Sequence, residues 1–162
     1  MTRVLFVCLG NICRSPMAQG VFRAMAAADG VAVETDSAGT SDYHAGDPPD
    51  PRAQAAMRAR GFDISDLRAR RVSRADFTRF DYILAMDEMN LGDLRELAPP
   101  DFPGVVRLFL DYAPGAGARE VPDPYFGGDE GFADVYALID RASRGLLEEI
   151  KARAAPAPQL RE

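Results

Sequence analysis

A chain of 162 residues suits one domain with a real core, and 47% hydrophobic and 27% charged residues are ordinary for a soluble globular protein. A formal net charge of -6 argues against nucleic acid or an anionic membrane as the main partner, so any anion site must be local, built from a few placed groups. No apolar stretch is long enough to span a bilayer, the start lacks a signal-peptide pattern, and the two cysteines point to a reducing, cytoplasmic setting.

In chain order, RVLFVC (3–8) is a continuous apolar run ending in a Gly-Asn loop, which predicts a strand buried on both faces. Ser15-Pro16 reads as an N-cap followed by proline at the first helical position. Ala18, Val21, Phe22 and Met25 recur at helical spacing, and Asp29-Gly30 closes that helix. VAVETDSAG (31–39) reads as a shorter strand. Asp50-Pro51 opens a helix through about Arg60, ended by Gly61, and Ser73 with Asp76 makes a capping-box-like start to another. YILAM (82–86) is a strand, followed by a helix through Leu97, and VVRLFL (105–110) is the last strand. A proline- and glycine-rich loop spans roughly 111 to 131. Then Phe132, Val135, Tyr136, Ile139, Leu146, Leu147 and Ile150 mark one face of a closing helix. The tail from Ala155, APAPQLRE, reads as disordered.

Strands alternating with helices predict a single α/β domain: a four-stranded parallel sheet with helices on both faces. Ligands of such sheets bind beyond the carboxyl ends of the strands, where the winding reverses. Cys8, Asp36-Ser37 and Met86-Asp87 end the first three strands and should share that edge.

The loop after the first strand carries the chemistry. Five residues separate Cys8 from Arg14, and the loop runs into a helix N-terminus, where unpaired N–H groups and the helix dipole favour an anion. The backbone of Leu9, Gly10, Asn11, Ile12 and Cys13, with Ser15, would cradle a phosphate, while the Arg14 fork holds two of its oxygens. That field favours a thiolate at Cys8, a nucleophile at the floor of an oxyanion cradle. The competing reading is a Cys8 that only packs the core. Ser15 can cap the helix, donate to the thiolate, or both.

The segments CLGNICRSP (8–16), DSAGT (36–40), MDEMNLGDL (86–94) and DPYF (123–126) resemble, in order, the motifs of the low-molecular-weight protein tyrosine phosphatases. The likeness covers roughly residues 3 to 154, making 1–154 the phosphatase domain and 155–162 the tail. The resemblance implies Cys8 as nucleophile, Arg14 on the phosphoryl oxygens, Ser15 stabilising the thiolate, and Asn11 shaping the loop through hydrogen bonds that include Ser37. It also implies that Asp123 is the general acid and base. Three aspartates precede proline, and Asp50 and Asp47 read as a helix cap and a turn residue. Tyr125 and Phe126, with Tyr43, would wall a slot for a flat phenyl phosphate. Arginine and backbone amides carry the phosphate charge, so no metal or other cofactor is expected.

The match departs at Leu67, which stands where many relatives carry a histidine tied to the serine–asparagine network. His44, the single histidine, either orients its loop or is a plain surface residue, and Asp87 either braces the phosphate loop or caps the next helix. The substrate expected is a phosphotyrosine-containing protein, with phosphate or another oxyanion in the site. Rival readings are a thioredoxin-coupled arsenate reductase, which would need further cysteines, and a binding module without turnover. Two readings of Cys13 stand: a thiol that under peroxide traps an oxidised Cys8 as a disulfide, or a small packing residue. Oligomeric state stays open at this level.

Overall fold

The computed structural model describes residues 1–154, so the tail expected at 155–162 lies outside the described residues. Four strands, β1 (Thr2–Cys8), β2 (Val33–Gly39), β3 (Tyr82–Ala85) and β4 (Val105–Leu108), form one sheet in the order β2-β1-β3-β4. Every pairing is parallel. The helices are α1 (Arg14–Ala28), α2 (Pro51–Arg58), the single turn α3 (Asp76–Arg79), α4 (Glu88–Leu97) and α5 (Asp129–Ala154). Among the described residues no helix is long and apolar enough to cross a membrane.

The period-2 geometry of a strand divides β1 between two cores. Val4, Phe6 and Cys8 join the apolar cluster that α1, α2 and α5 cover, whereas Leu5 and Val7 join the one beneath α3 and α4. All five are buried, which accounts for the unbroken apolar run in the sequence. Because β2 and β3 flank β1 on opposite sides, the winding reverses at β1, and its last residue is Cys8. The register aligns Cys8 with Gly39 and Val7 with Ala85, so the three carboxyl ends meet at one edge.

Several element ends differ from expectation. β4 stops at Leu108, and Phe109–Tyr112 form a 3-10 turn that buries Phe109, Leu110 and Tyr112. Phe109 packs edge-on against Phe6, their ring centres 5.2 Å apart, so burial against the sheet overrides the β propensity of that run. Asp50 caps α2 as expected, its carboxylate accepting from the Arg52 N–H at 2.8 Å, although the helix ends at Arg58, two residues early. The Ser73–Asp76 box forms by half. Asp76 accepts from the Ser73 N–H at 2.8 Å, but it also pairs with Arg70, and α3 lasts one turn.

α5 crosses the 3-10 turn at Gly145, where a Cβ would collide with the carbonyl oxygen of Tyr112. Alanine there gains about 1 kcal/mol of helix propensity but forces two backbones apart at about 1–3 kcal/mol. Gly145→Ala is therefore expected to lower the urea unfolding midpoint. Gly92→Ala, in the exposed face of α4 with open space around it, is expected to raise stability by about 1 kcal/mol.

Candidate active site

Cys8 is 3% exposed, with its sulfur at the base of the loop that leads into α1. Asn11 has a φ of 59°, a left-handed conformation that asparagine tolerates better than most residues. That turn brings the Asn11 N–H to 3.2 Å from the Cys8 Sγ, and the Ser15 hydroxyl lies 2.9 Å from it. The Asn11 side-chain amide donates to Ser15 Oγ at 2.8 Å and to Ser37 Oγ at 3.0 Å, while its oxygen accepts from the Arg70 N–H at 3.0 Å. Ser15 oxygen is thereby an acceptor, which leaves its proton for the sulfur. Ser37 behaves alike, passing its proton to Gln19 Oε1 at 2.8 Å. Two donors thus converge on the sulfur.

Ser15 does not cap α1. The helix starts at Arg14, Cys13 occupies the cap position, and no side chain caps it. The first-turn N–H groups are thereby left for an anion, and the hydroxyl faces Cys8 instead. The loop's carbonyls bond outward: Cys8 to the Thr40 N–H at 2.9 Å, Leu9 to Ser41 at 3.0 Å and Ile12 to Asp50 at 2.8 Å. The close approach to β2 requires Gly39, where a Cβ would sit 2.6 Å from the Leu9 oxygen.

Arg14 is 3% exposed. Its Nη1 donates to Asp87 Oδ2 at 2.7 Å and to the Val121 carbonyl at 3.1 Å, and its Nη2 stands 3.7 Å from Asp123 Oδ2. Burial opposes the guanidinium charge, but Cys8, Asp87 and Asp123 outweigh it and hold Arg14 protonated. Both readings of Asp87 hold, one per oxygen: Oδ2 braces Arg14, and Oδ1 caps α4 by accepting from the Asn90 N–H at 2.8 Å. The half-exposed Asp123 sits in an Asx turn, its Oδ1 accepting from the Tyr125 N–H at 3.1 Å.

A cavity of about 330 Å³ opens above Cys8, with Arg14 and Asp123 on its lining. Leu9, Ile12, Tyr43, His44, Tyr125 and Phe126 line its sides. The three aromatics differ in depth: Tyr125 is 39% exposed, whereas Tyr43 and Phe126 are 85% and 90% exposed and stand at the rim. His44 belongs to this wall, its Nδ1 3.2 Å from Asp47 Oδ2 and its ring edge-on to Tyr43.

Sequence reading missed Gln19, Arg70 and Arg52. Leu67 packs half-buried against the main core, and the network runs instead through Gln19 and the Arg70 backbone. The Arg70 guanidinium is itself gripped by Asp36 and Asp76. Gln19 had one signal, a polar residue four after Ser15 on the otherwise apolar face of α1.

A buried thiol ringed by donors, an arginine fork beside it and an aspartate at the mouth define a cysteine-centred oxyanion site at the switch point of a parallel sheet. The family model described as low molecular weight phosphotyrosine protein phosphatase matches residues 3–155. The Streptomyces coelicolor low molecular weight protein-tyrosine-phosphatase is 44% identical over 162 aligned residues, covering 94% of this chain and 98% of that protein. Among solved structures, YfkJ from Bacillus subtilis superposes with a TM-score of 0.89 at 41% identity, covering 96% of this chain and 98% of that one. A protein tyrosine phosphatase from Entamoeba histolytica with Hepes in its active site gives 0.90 at 34%, covering 96% and 100%. The chain belongs to the low molecular weight protein tyrosine phosphatase family.

Cys13 differs from Cys8 in its surroundings. Burial first, then the negative fields of Asp50, Cys8 and Asp123, push its thiol from 9.0 up to about 12. The folded state therefore keeps a proton that the unfolded chain releases above pH 9. The resulting stability is complete below pH 9 and is lost as pH rises toward 12, at up to about 1.4 kcal/mol per pH unit. Cys13→Ala is expected to flatten the fall of the urea midpoint above pH 9 relative to wild type. Parallel curves would mean that Cys13 ionises equally in both states.

Proposed function

We propose that the protein hydrolyses phosphotyrosine in protein substrates, and aryl phosphate monoesters generally, through a cysteinyl-phosphate intermediate. The observation that carries this reading is the meeting of Cys8, Arg14 and Asp123 on one cavity, with Arg14 Nη2 3.7 Å from Asp123 Oδ2. The Cys8 thiolate attacks phosphorus, forming the S–P bond as the ester P–O bond breaks. Asp123 gives its proton to the departing phenolate oxygen. In the second half, water attacks phosphorus, Asp123 takes its proton back, and the S–P bond breaks to release phosphate and the thiolate. Arg14 and the amides of residues 9–13, with those of the first turn of α1, stabilise the charge on the equatorial oxygens throughout.

The site's shape supports an aryl ester. Tyr125 offers an inner aromatic wall, and Tyr43 and Phe126 extend apolar surface outward where the rest of a phosphoprotein would lie. The Hepes reported in the Entamoeba structure ends in a sulfonate, a tetrahedral oxyanion like phosphate. An arsenate reductase relaying a disulfide needs further cysteines, and the chain's two cysteines both belong to this loop. Two free thiols suit a reducing cytoplasm.

p-Nitrophenyl phosphate hydrolysis near pH 6 in excess chelator tests this reading. Cys8→Ser is expected to abolish turnover while vanadate still binds, because the amide and arginine cradle remains. Turnover surviving in Cys8→Ser would sink the covalent mechanism. Asp123→Ala is expected to lower kcat/KM by about 10²–10⁴ for phenyl phosphate and much less for esters with better leaving groups. Equal slowing across leaving groups would remove Asp123 from the acid role.

The same reading extends to Cys13. Peroxide would oxidise Cys8 to a sulfenic acid, and the Cys13 sulfur would displace water to form a disulfide that a thiol reductant reopens. Mild peroxide is expected to inactivate the wild type reversibly and Cys13→Ser irreversibly. Irreversible loss in the wild type alone would contradict it.

A further inference from the structure

We infer that Arg52 positions the general acid by tying the loop that bears Asp123 to the element that braces the phosphate loop. The inference rests on reading Asp123 as the acid.

Arg52 lies in the first turn of α2, 39% exposed at its side chain. On one side, its Nε and Nη2 grip the Asp50 carboxylate at 3.2 and 3.1 Å. Asp50 in turn caps α2, and its own N–H holds the Ile12 carbonyl of the phosphate loop at 2.8 Å. On the other side, Nη2 donates to the Tyr125 carbonyl at 2.9 Å and Nη1 to the Gly127 carbonyl at 3.3 Å. The guanidinium also lies 5.5 Å from the Tyr125 ring centre and 5.1 Å from that of Phe132 at the start of α5.

Among the described residues, these are the only hydrogen bonds that join residues 122–127 to the rest of the chain. The other two, from Tyr125 N–H to Asp123 and from Gly127 N–H to Pro124, are internal to the loop. Val121 N–H, bonded to the Met86 carbonyl at 2.8 Å, anchors the segment just before it. The carbonyl that Arg52 holds belongs to the residue whose N–H holds the Asp123 carboxylate, so the grip reaches the acid through one residue. Asp123 must meet a leaving oxygen within hydrogen-bond range, and an error of about 1 Å costs on the order of 100-fold in rate. Apart from the 3.7 Å ion pair between Arg14 and the Asp123 carboxylate itself, Arg52 is the polar tether of this loop's backbone, and the placement of the loop depends on it. The planar fork matters as well, since a lysine reaches one carbonyl where arginine spans a carboxylate and two carbonyls.

A double-mutant cycle tests the assignment, with kcat/KM for phenyl phosphate and p-nitrophenyl phosphate measured in wild type, Arg52→Met, Arg52→Lys, Asp123→Ala and Arg52→Met/Asp123→Ala. Arg52→Met is expected to lower kcat/KM for phenyl phosphate by about tenfold or more, with a clearly smaller loss for p-nitrophenyl phosphate. Inhibition by inorganic phosphate should hold, and Arg52→Lys should recover part of the loss, which separates positioning from a folding defect. With Asp123 already alanine, Arg52→Met should cost less than about twofold, because there is no acid left to place. A full, additive loss in the double variant, or equal losses for both esters in Arg52→Met, overturns the role of Arg52 alone. Equal losses for both esters in Asp123→Ala overturn the acid assignment, and the positioning role falls with it.

Discussion

A sulfur atom that carries negative charge out of contact with bulk water survives only where donors replace the water. The Cys8 sulfur has two donors: the left-handed turn at Asn11 supplies one N–H directly and directs the Ser15 proton as a second. The orientation of the Asn11 amide is set from outside the loop, by Ser37 on β2 and by the Arg70 backbone. Ser37 is oriented by Gln19, and Arg70 by two carboxylates. The loop's conformation is therefore a consequence of the fold around it, since five residues alone have too few contacts to hold such a turn.

The charges above the sulfur follow a similar logic. Arg14 is almost fully buried, which is tolerable because Asp87 and the Val121 carbonyl occupy one edge of its fork. Its other nitrogen, Nη2, faces Asp123, a residue at the cavity mouth with water access to its carboxylate. A buried, braced cation and a half-exposed carboxylate suit the different tasks of the proposed mechanism, in which one holds charge in place and the other would exchange a proton. The surrounding sheet makes the difference, because β1 and β3 end beneath Arg14 whereas Asp123 rides on a loop.

Much of the fold was legible in particular residues. RVLFVC announced a strand covered on both faces because each residue from Val4 to Cys8 faces one of two cores. Asp50-Pro51 and Asp29-Gly30 announced a helix start and stop because capping and the left-handed turn at Gly30 are local chemistry. Reading failed where partners distant in sequence decide. Ser15-Pro16 has the local form of a helix start, yet the hydroxyl is taken by Cys8 and the helix begins two residues earlier. FL at 109–110 has strand propensity, yet packing against Phe6 and the crossing of α5 bend it into a 3-10 turn. The aromatics near residues 43 and 125 do line the cavity, but their very different exposures could not be read from residue type.

By itself the sequence determined the alternation of strands and helices, the loop from Cys8 to Arg14 between a strand and a helix start, and the aspartates that are candidates for the proposed proton transfer. All of these rest on short-range rules: apolar period, capping, and the unpaired amides at a helix start. Only the tertiary structure decided which groups hold that loop in shape. Gln19, Arg70 and Asp87, and Arg52 through Asp50, act on it from four separate segments, meeting through contacts between residues as far apart as 11 and 70 or 14 and 87. Such contacts depend on sheet order and register, which no local pattern along the chain specifies.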